Sequence, residues 1–393
     1  MIKKRGKLRR GMVVFANAIP SIGEFAARLS RSDDGKRWLV PLVIFLCVTG
    51  LLLILAATVE ALARSSTPCS EMGLLACPSC SAPLERLVCS ACGTGYESPG
   101  GIPDLRLASD RRTEVVREFY SAAPFPGYPP HETLFHLRER GRRSEFARLL
   151  DEAISPGAQV VELGCGTGQL SLFLATGGRR VIGADLARPS LELGAEAATR
   201  FGVEGVQFVE TDLRRPGLQT AAFDVVICSG VLHHTPDPPI AFRAVARLVK
   251  PGGYVVLGLY NALARLPHRL RRAIARLSGF RLIPFDPVLR ERRSEPGRRT
   301  AWLRDQYQHP EEHRHTLWEV KRWFRQNEIE YVRAYPSALL ASGDSPEPGL
   351  FTPAADDWAL ESFLAQLSWM RSLAAEGGLF VTIGRRRSIQ PLE

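Results

Sequence analysis

A chain of 393 residues, 45% hydrophobic and 23% charged, has room for two or three folded units, and this composition excludes disordered, collagen-like and disulfide-stapled classes. The net charge is +10, but residues 1–71 hold 11 basic against 5 acidic side chains. The excess is therefore mostly a tail effect and says little about the partners of the main body. Only one apolar run approaches the roughly 20 residues that cross a bilayer, which excludes a multi-span membrane protein.

That run, residues 38–59, follows a basic segment, 1–37, and holds no charged residue from Trp38 to Val59. It predicts a transmembrane helix and membrane attachment. The alternative is a cleaved signal, for which Ala61-Leu62-Ala63 resembles a cleavage site. Lys36 and Arg37 precede the run and Arg64 stands nearly alone after it, so the positive-inside rule places the N-terminus in the cytoplasm and the body outside. Residues 12–63 resemble a family of small one-span bacterial membrane proteins. Arg64 to Ser70 replaces that family's aromatic tail, which leads to the expectation of a frameshift fusion with the body starting near Met72.

Over residues 72–105 the cysteines fall as Cys77-x2-Cys80 and Cys89-x2-Cys92. Each pair brings two thiolates to one side of a tight turn, and two turns complete the S4 tetrahedron that Zn2+ accepts. The alternatives are two disulfides or redox pairs. With all four positions cysteine, the metal would be structural, supplying folding energy to a ribbon with almost no apolar core of its own. The stretch from Leu75 to Leu105 resembles zinc-ribbon modules that precede or activate bacterial methyltransferases.

Gln159 to Leu163 reads as a buried parallel strand, followed by Gly164-Cys165-Gly166-Thr167-Gly168 and a helix from Gln169. A glycine turn between strand and helix is a nucleotide-binding start. Gln169 stands where a dinucleotide site needs glycine, which disfavours NAD and FAD. Further strands are predicted at Arg180 to Asp185, Val206 to Val209, Phe223 to Cys228 and Tyr254 to Gly258, with closing strands at Glu330 to Ala334 and Leu379 to Ile383.

The run E-x-G-x-G-x-G from Glu162 to Gly168, with Asp185 and Thr211-Asp212-Leu213 in order, resembles class I S-adenosylmethionine-dependent methyltransferases of the type 11 kind. The resemblance implies an α/β fold, a Rossmann-like doubly wound seven-stranded sheet, over residues 106–393. It also implies that Glu162, Gly164, Cys165, Gly166, Thr167 and Gly168 surround the methionine part of S-adenosylmethionine. Asp185 would hold the ribose, Asp212 and Leu213 would border the adenine, and Leu186 and Ser229 would be further cofactor-binding residues. Such an enzyme needs cytosolic cofactor and reduced thiols, so a cytosol-facing body is expected, against the positive-inside reading of the leader.

Methyl transfer needs little covalent help, and no motif reveals a catalyst. His233 and His234 follow the fourth strand at the ligand-binding edge, where either can serve as a general base or stay structural. Phe119-Tyr120 and Pro124 to Tyr128 are lid or packing aromatics. Residues 262–330 read as a lid-like insertion: Leu263, Leu266, Leu270, Ile274 and Leu277 recur at helical spacing among arginines, which predicts a solvated lid helix packed by its leucine face. The alternatives are a helix on a membrane surface, against an acidic substrate or over RNA phosphates. Asp305, Tyr307 and His309 are candidate polar contacts of a substrate-facing loop. The alternatives are structural hydrogen bonding and metal binding, the latter less favoured because Pro310 disrupts the helical spacing of His309 and His313. The reading favours a small-molecule, saccharide or biosynthetic-intermediate acceptor. An RNA methyltransferase and a catalytically silent binding module are the alternatives, with nucleic acid not favoured.

Overall fold

The computed structural model describes residues 73–291, 296–339, 349–355 and 358–388. The segment 1–37, the apolar run 38–59 and the start near Met72 lie outside the described residues. Among the described residues no helix is long and apolar enough to cross a membrane. Cys69–Glu393 forms one compact unit.

A ribbon of two short strands, β1 (Leu84–Glu85) and β2 (Val88–Cys89), opens the described chain. Three helices follow, α1 (Arg111–Ser121), α2 (Leu134–Arg143) and α3 (Glu145–Ala153). Strands and helices then alternate through β3 (Gln159–Leu163), α4 (Gln169–Ala175), β4 (Arg180–Asp185), α5 (Arg188–Phe201) and β5 (Val206–Glu210), and a helix-free connection leads to β6 (Phe223–Ser229). The alternation continues through α6 (Pro238–Leu248) to β7 (Val249–Tyr260). Strands rich in Val and Ile with both faces buried require helices on both sides, and the core accordingly lies on both faces of the sheet.

The sheet has seven strands in the order β5-β4-β3-β6-β7-β9-β8. Strands β3 to β7 run parallel. β9 (Leu379–Arg386) is antiparallel to both its neighbours, β7 and β8 (Ile329–Tyr335). The chain steps outward from β3 through β4 to β5 and returns to place β6 on the other side of β3. That reversal opens a crevice at the carboxyl ends of β3 and β6, where ligands bind in such sheets.

The ribbon is stitched to the exposed edge of this sheet. Leu105 N donates to Glu210 O at 2.8 Å and Glu210 N to Pro103 O at 2.9 Å, so the chain after the ribbon runs beside β5 and covers its edge. Glu210 is itself buried, and its charge is answered by Arg106, 3.0 Å away, and by Arg188.

Between β7 and β8 stand α7 (Leu266–Leu277), α8 (Pro287–Glu291), α9 (Pro296–Leu303) and α10 (Leu317–Gln326), and α11 (Ala359–Ser372) precedes β9. The expected helix from Leu266 is present, but it is turned the other way. Arg265, His268 and Ala275 are buried, while Leu270 is 66% and Leu277 90% exposed. The reason is electrostatic. Arg265 Nη2 lies 3.0 Å from Glu312 Oε2, Arg272 pairs with the same carboxylate, and the Arg265 guanidinium stacks 3.7 Å over the Tyr260 ring. A buried carboxylate shared by two arginines fixes which face turns inward, since leaving it unpaired would be costly.

Candidate active site

The crevice holds a cavity of about 940 Å3, lined by the β3–α4 turn, the ends of β4, β5 and β6, helix α1 and helix α9. This is near the top of the ~300–1,000 Å3 range of small-molecule sites. On the β3 side, Gly166 has φ +54, and a Cβ there would meet nothing within 4 Å. The turn thus presents bare backbone to the cavity, a cradle that a side chain would fill.

Asp185 closes the turn from β4. Its Oδ2 accepts from Gly166 N and its Oδ1 from Ala187 N, both at 2.8 Å. Each oxygen keeps a lone pair for a diol. Burial raises its pKa above the usual carboxylate value, opposed by those N–H groups. Glu162, at the end of β3, accepts from the Ser171 hydroxyl, and burial pushes its pKa up to about 7.

Asp212 and Leu213 line the cavity beyond β5, and Asp212 is steered by Arg214, whose Nη2 donates to Oδ2 at 2.7 Å. Arg214 also pairs with Asp110, the residue that caps α1 through Thr113 N at 3.0 Å. The loop after β5 and the helix over the cavity therefore share one ion-pair chain. Tyr128 OH donates to Thr167 O and Thr167 Oγ1 to Pro126 O, each at 2.7 Å, which clamps the Pro124 to Tyr128 segment against the glycine turn. Phe119, Tyr120, Pro124 and Phe125 line the cavity.

Of the residues singled out in the sequence, Glu162, Gly164, Cys165, Gly166, Thr167, Asp185, Leu186, Asp212, Leu213, Ser229, His234 and Asp305 line the cavity. Gly168 is not part of the lining: it has φ +75, and a Cβ there would strike the Phe208 ring. His233, Tyr307 and His309 also stand outside the lining, which corrects their expected contact with substrate. His233 is fully buried against the Tyr260 ring at 3.8 Å. Tyr307 OH donates to Asp286 Oδ2 at 2.6 Å. The His309 ring lies 3.7 Å from that of His234, with its Nδ1 accepting from Glu311 N at 3.1 Å.

At the far end of the cavity, Asp305 Oδ1 accepts from Tyr120 OH at 3.1 Å and Oδ2 from Tyr260 OH at 3.3 Å. His234 Nδ1 is 2.7 Å from Glu311 O. A carbonyl only accepts, so Nδ1 carries the proton and Nε2 the lone pair. Unlike the nitrogens of His233 and Nε2 of His309, His234 Nε2 is not sealed away without a partner. Burial lowers the His234 pKa, opposed by Asp305. Val116, Phe119, Ala123, Phe125, Ala301 and Trp302 add apolar surface to the wall, with Arg117, Thr300 and Arg304 among them. Trp302 and Arg214 carried no sequence signal: the one sits in an insertion without a motif, the other joins Asp212 to Asp110, a partner far away in the chain.

The four ribbon sulfurs of Cys77, Cys80, Cys89 and Cys92 lie within 4.8 Å of one another. No disulfide joins them. Separations of 3.7 Å for Cys77–Cys92 and 3.4 Å for Cys80–Cys89 approach the ~3.8 Å edge of a tetrahedron with ~2.3 Å Zn–S bonds.

Residues 161–257 match the sequence model of the methyltransferase domain family. Over 110 residues, 28% of this chain and 46% of the relative, the chain is 38% identical to the ubiquinone biosynthesis O-methyltransferase of Paracidovorax citrulli. An uncharacterized protein of Synechococcus sp. is 26% identical over 278 residues, 60% of this chain and 64% of that protein. The structure of magnesium protoporphyrin IX methyltransferase from Synechocystis PCC 6803 covers 71% of this chain and 99% of its own at 16% identity, with a TM-score of 0.39. The chain spans about half the length of the first of these relatives. The match to a methyltransferase domain thus covers residues 161–257, the stretch that holds the glycine turn and Asp185.

Proposed function

We propose that the protein transfers a methyl group from S-adenosylmethionine to a hydroxyl of an apolar small molecule, with His234 as general base. The observation that carries this reading is the His234 tautomer, set by the Glu311 carbonyl, at a cavity whose lining also includes Val116, Phe119, Phe125, Ala301 and Trp302. S-adenosylmethionine supplies an electrophilic methyl group that needs no protein nucleophile. Glu162 and the bare backbone of Gly164 and Gly166 suit its amino-acid part, Asp185 its ribose hydroxyls, and Asp212 and Leu213 its adenine. His234 Nε2 takes the acceptor's hydroxyl proton. Asp305, held between Tyr120 and Tyr260, orients the polar end of the acceptor, while Phe119, Phe125 and Trp302 exclude water from the rest.

The ribbon is read as a structural zinc site of Cys77, Cys80, Cys89 and Cys92. Its four thiolates leave no open coordination position, and its flanks, Leu74, Leu75 and Leu105, belong to the core under the sheet. An RNA acceptor is the second reading: Arg117 and Arg304 line the cavity beside its apolar residues and could meet phosphates.

The test is incubation of the full chain with methyl-labelled S-adenosylmethionine and a lysate lacking the gene, followed by separation into RNA, protein, lipid and small solutes. Label in lipid or small solutes is expected. Label confined to RNA or protein would overturn the acceptor assignment.

A further inference from the structure

The outward face of α7 and the loop after it differ from the rest of the surface. From residue 262 to residue 285 there is no acidic residue, while arginine stands at 265, 269, 271, 272, 276 and 281. The fold sorts these charges. Arg265 and Arg272 turn inward to Glu312, and Arg269, Arg276 and Arg281 remain exposed.

At about 100° per residue, Leu266, Leu270, Ala273 and Leu277 fall within about 60° of one another, opposite the buried His268 and Ala275, and Arg269 and Arg276 flank them on one side. The loop continues the pattern with Leu282 at 64% and Phe285 at 84% exposure. Isolated exposed leucines are ordinary, but an aligned stripe of them bordered by arginine is not.

We propose that this surface docks on an anionic lipid bilayer. The leucine stripe and Phe285 enter the boundary between headgroups and acyl chains, and the flanking arginines meet lipid phosphates, the division of labour of an interfacial helix. A second copy of this chain is a poor occupant, because a twofold pairing would bring Arg269 and Arg276 toward their own images with no acidic residue in the segment to separate them. Nucleic acid is a poor occupant as well, because the centre of the surface is apolar. The patch also adjoins the cavity wall: Asp286, next to Phe285, accepts from Tyr307 OH at 2.6 Å and from Trp302 Nε1 at 3.4 Å, and Trp302 faces the cavity. The docking surface does not rest on the acceptor reading and is tested without the reaction.

Amide hydrogen exchange of the full chain, read residue by residue, is compared without vesicles, with phosphatidylcholine vesicles and with vesicles containing phosphatidylglycerol. Attachment through any other segment does not score in this measurement. Exchange over residues 278–285 is expected to slow by about tenfold or more on the anionic vesicles, and by less than about twofold when Leu270→Ser, Leu277→Ser and Phe285→Ser are combined or when Arg269→Gln and Arg276→Gln are combined. These side chains are exposed, so the variants keep the fold, which unchanged exchange in β3 and β6 verifies. Equal exchange with and without anionic vesicles would overturn the proposal. So would slowing without vesicles that grows with protein concentration, which marks a second copy, or slowing by an RNA oligomer alone.

Discussion

The Nδ1 of His234 points at the carbonyl oxygen of Glu311 across 2.7 Å, which commits the proton to that nitrogen and leaves Nε2 as the basic atom. Burial also holds this imidazole neutral below the usual histidine pKa of 6.5. With cofactor saturating, the turnover rate is therefore expected to stay level from about pH 8 down to about pH 6.5 and to fall only at lower pH. A rate falling about tenfold per unit through that range would contradict the assignment.

Glu162 is shifted in the opposite direction. Burial pushes its pKa up to about 7, so near pH 6 the carboxyl is mostly protonated and must ionise to pair with the ammonium of the cofactor. The affinity for S-adenosylmethionine is expected to rise by up to about tenfold between about pH 6 and about pH 7, with a proton released on binding, and Glu162→Gln is expected to flatten the dependence. Calorimetry in two buffers of different ionisation enthalpy measures both.

Tyr96 OH lies 3.0 Å from Cys77 Sγ, as a hydrogen-bonding neighbour of the metal shell. Tyr96→Phe is expected to weaken zinc binding by about 10–100-fold, the usual effect of removing an outer partner. Cys80→Ser and Cys92→Ser are expected to abolish it. One equivalent of zinc per chain, measured by metal analysis and chelator competition, is the baseline, and a chain that folds fully without metal would count against a structural site.

Three buried histidines link stability to pH. Burial lowers His268 to about 2, His309 to about 2 and His315 to about 4, whereas unfolded they titrate near 6.5. Between those values the unfolded chain binds more protons, so stability falls as pH drops below 6.5. Each group contributes up to about 1.4 kcal/mol per pH unit. Thermal melts of wild type and His309→Gln between about pH 6.5 and about pH 5 check this: the variant's slope should be shallower.

The strand before Gly164, the glycine turn, Asp185 and the doubled cysteine pairs were legible in sequence because each rests on local spacing. What escaped depends on distant partners. The leucine spacing of α7 was readable, but the face turned inward was decided by Glu312, which accepts from Arg265 and Arg272. Tyr307 and His309 looked like polar contacts in a loop, yet Asp286 and the His234 ring draw them behind the cavity wall. Gly168 belongs to a readable motif, but its glycine is required by the Phe208 ring from another strand.

The most direct measurement is the turnover number and the cofactor dissociation constant of His234→Gln beside wild type, in the full chain with the acceptor that the labelling experiment identifies. Loss of about 10²–10⁴-fold in turnover with cofactor affinity unchanged is the expected result. Turnover within about threefold of wild type would show that the acceptor proton leaves by another route, and would contradict the central assignment.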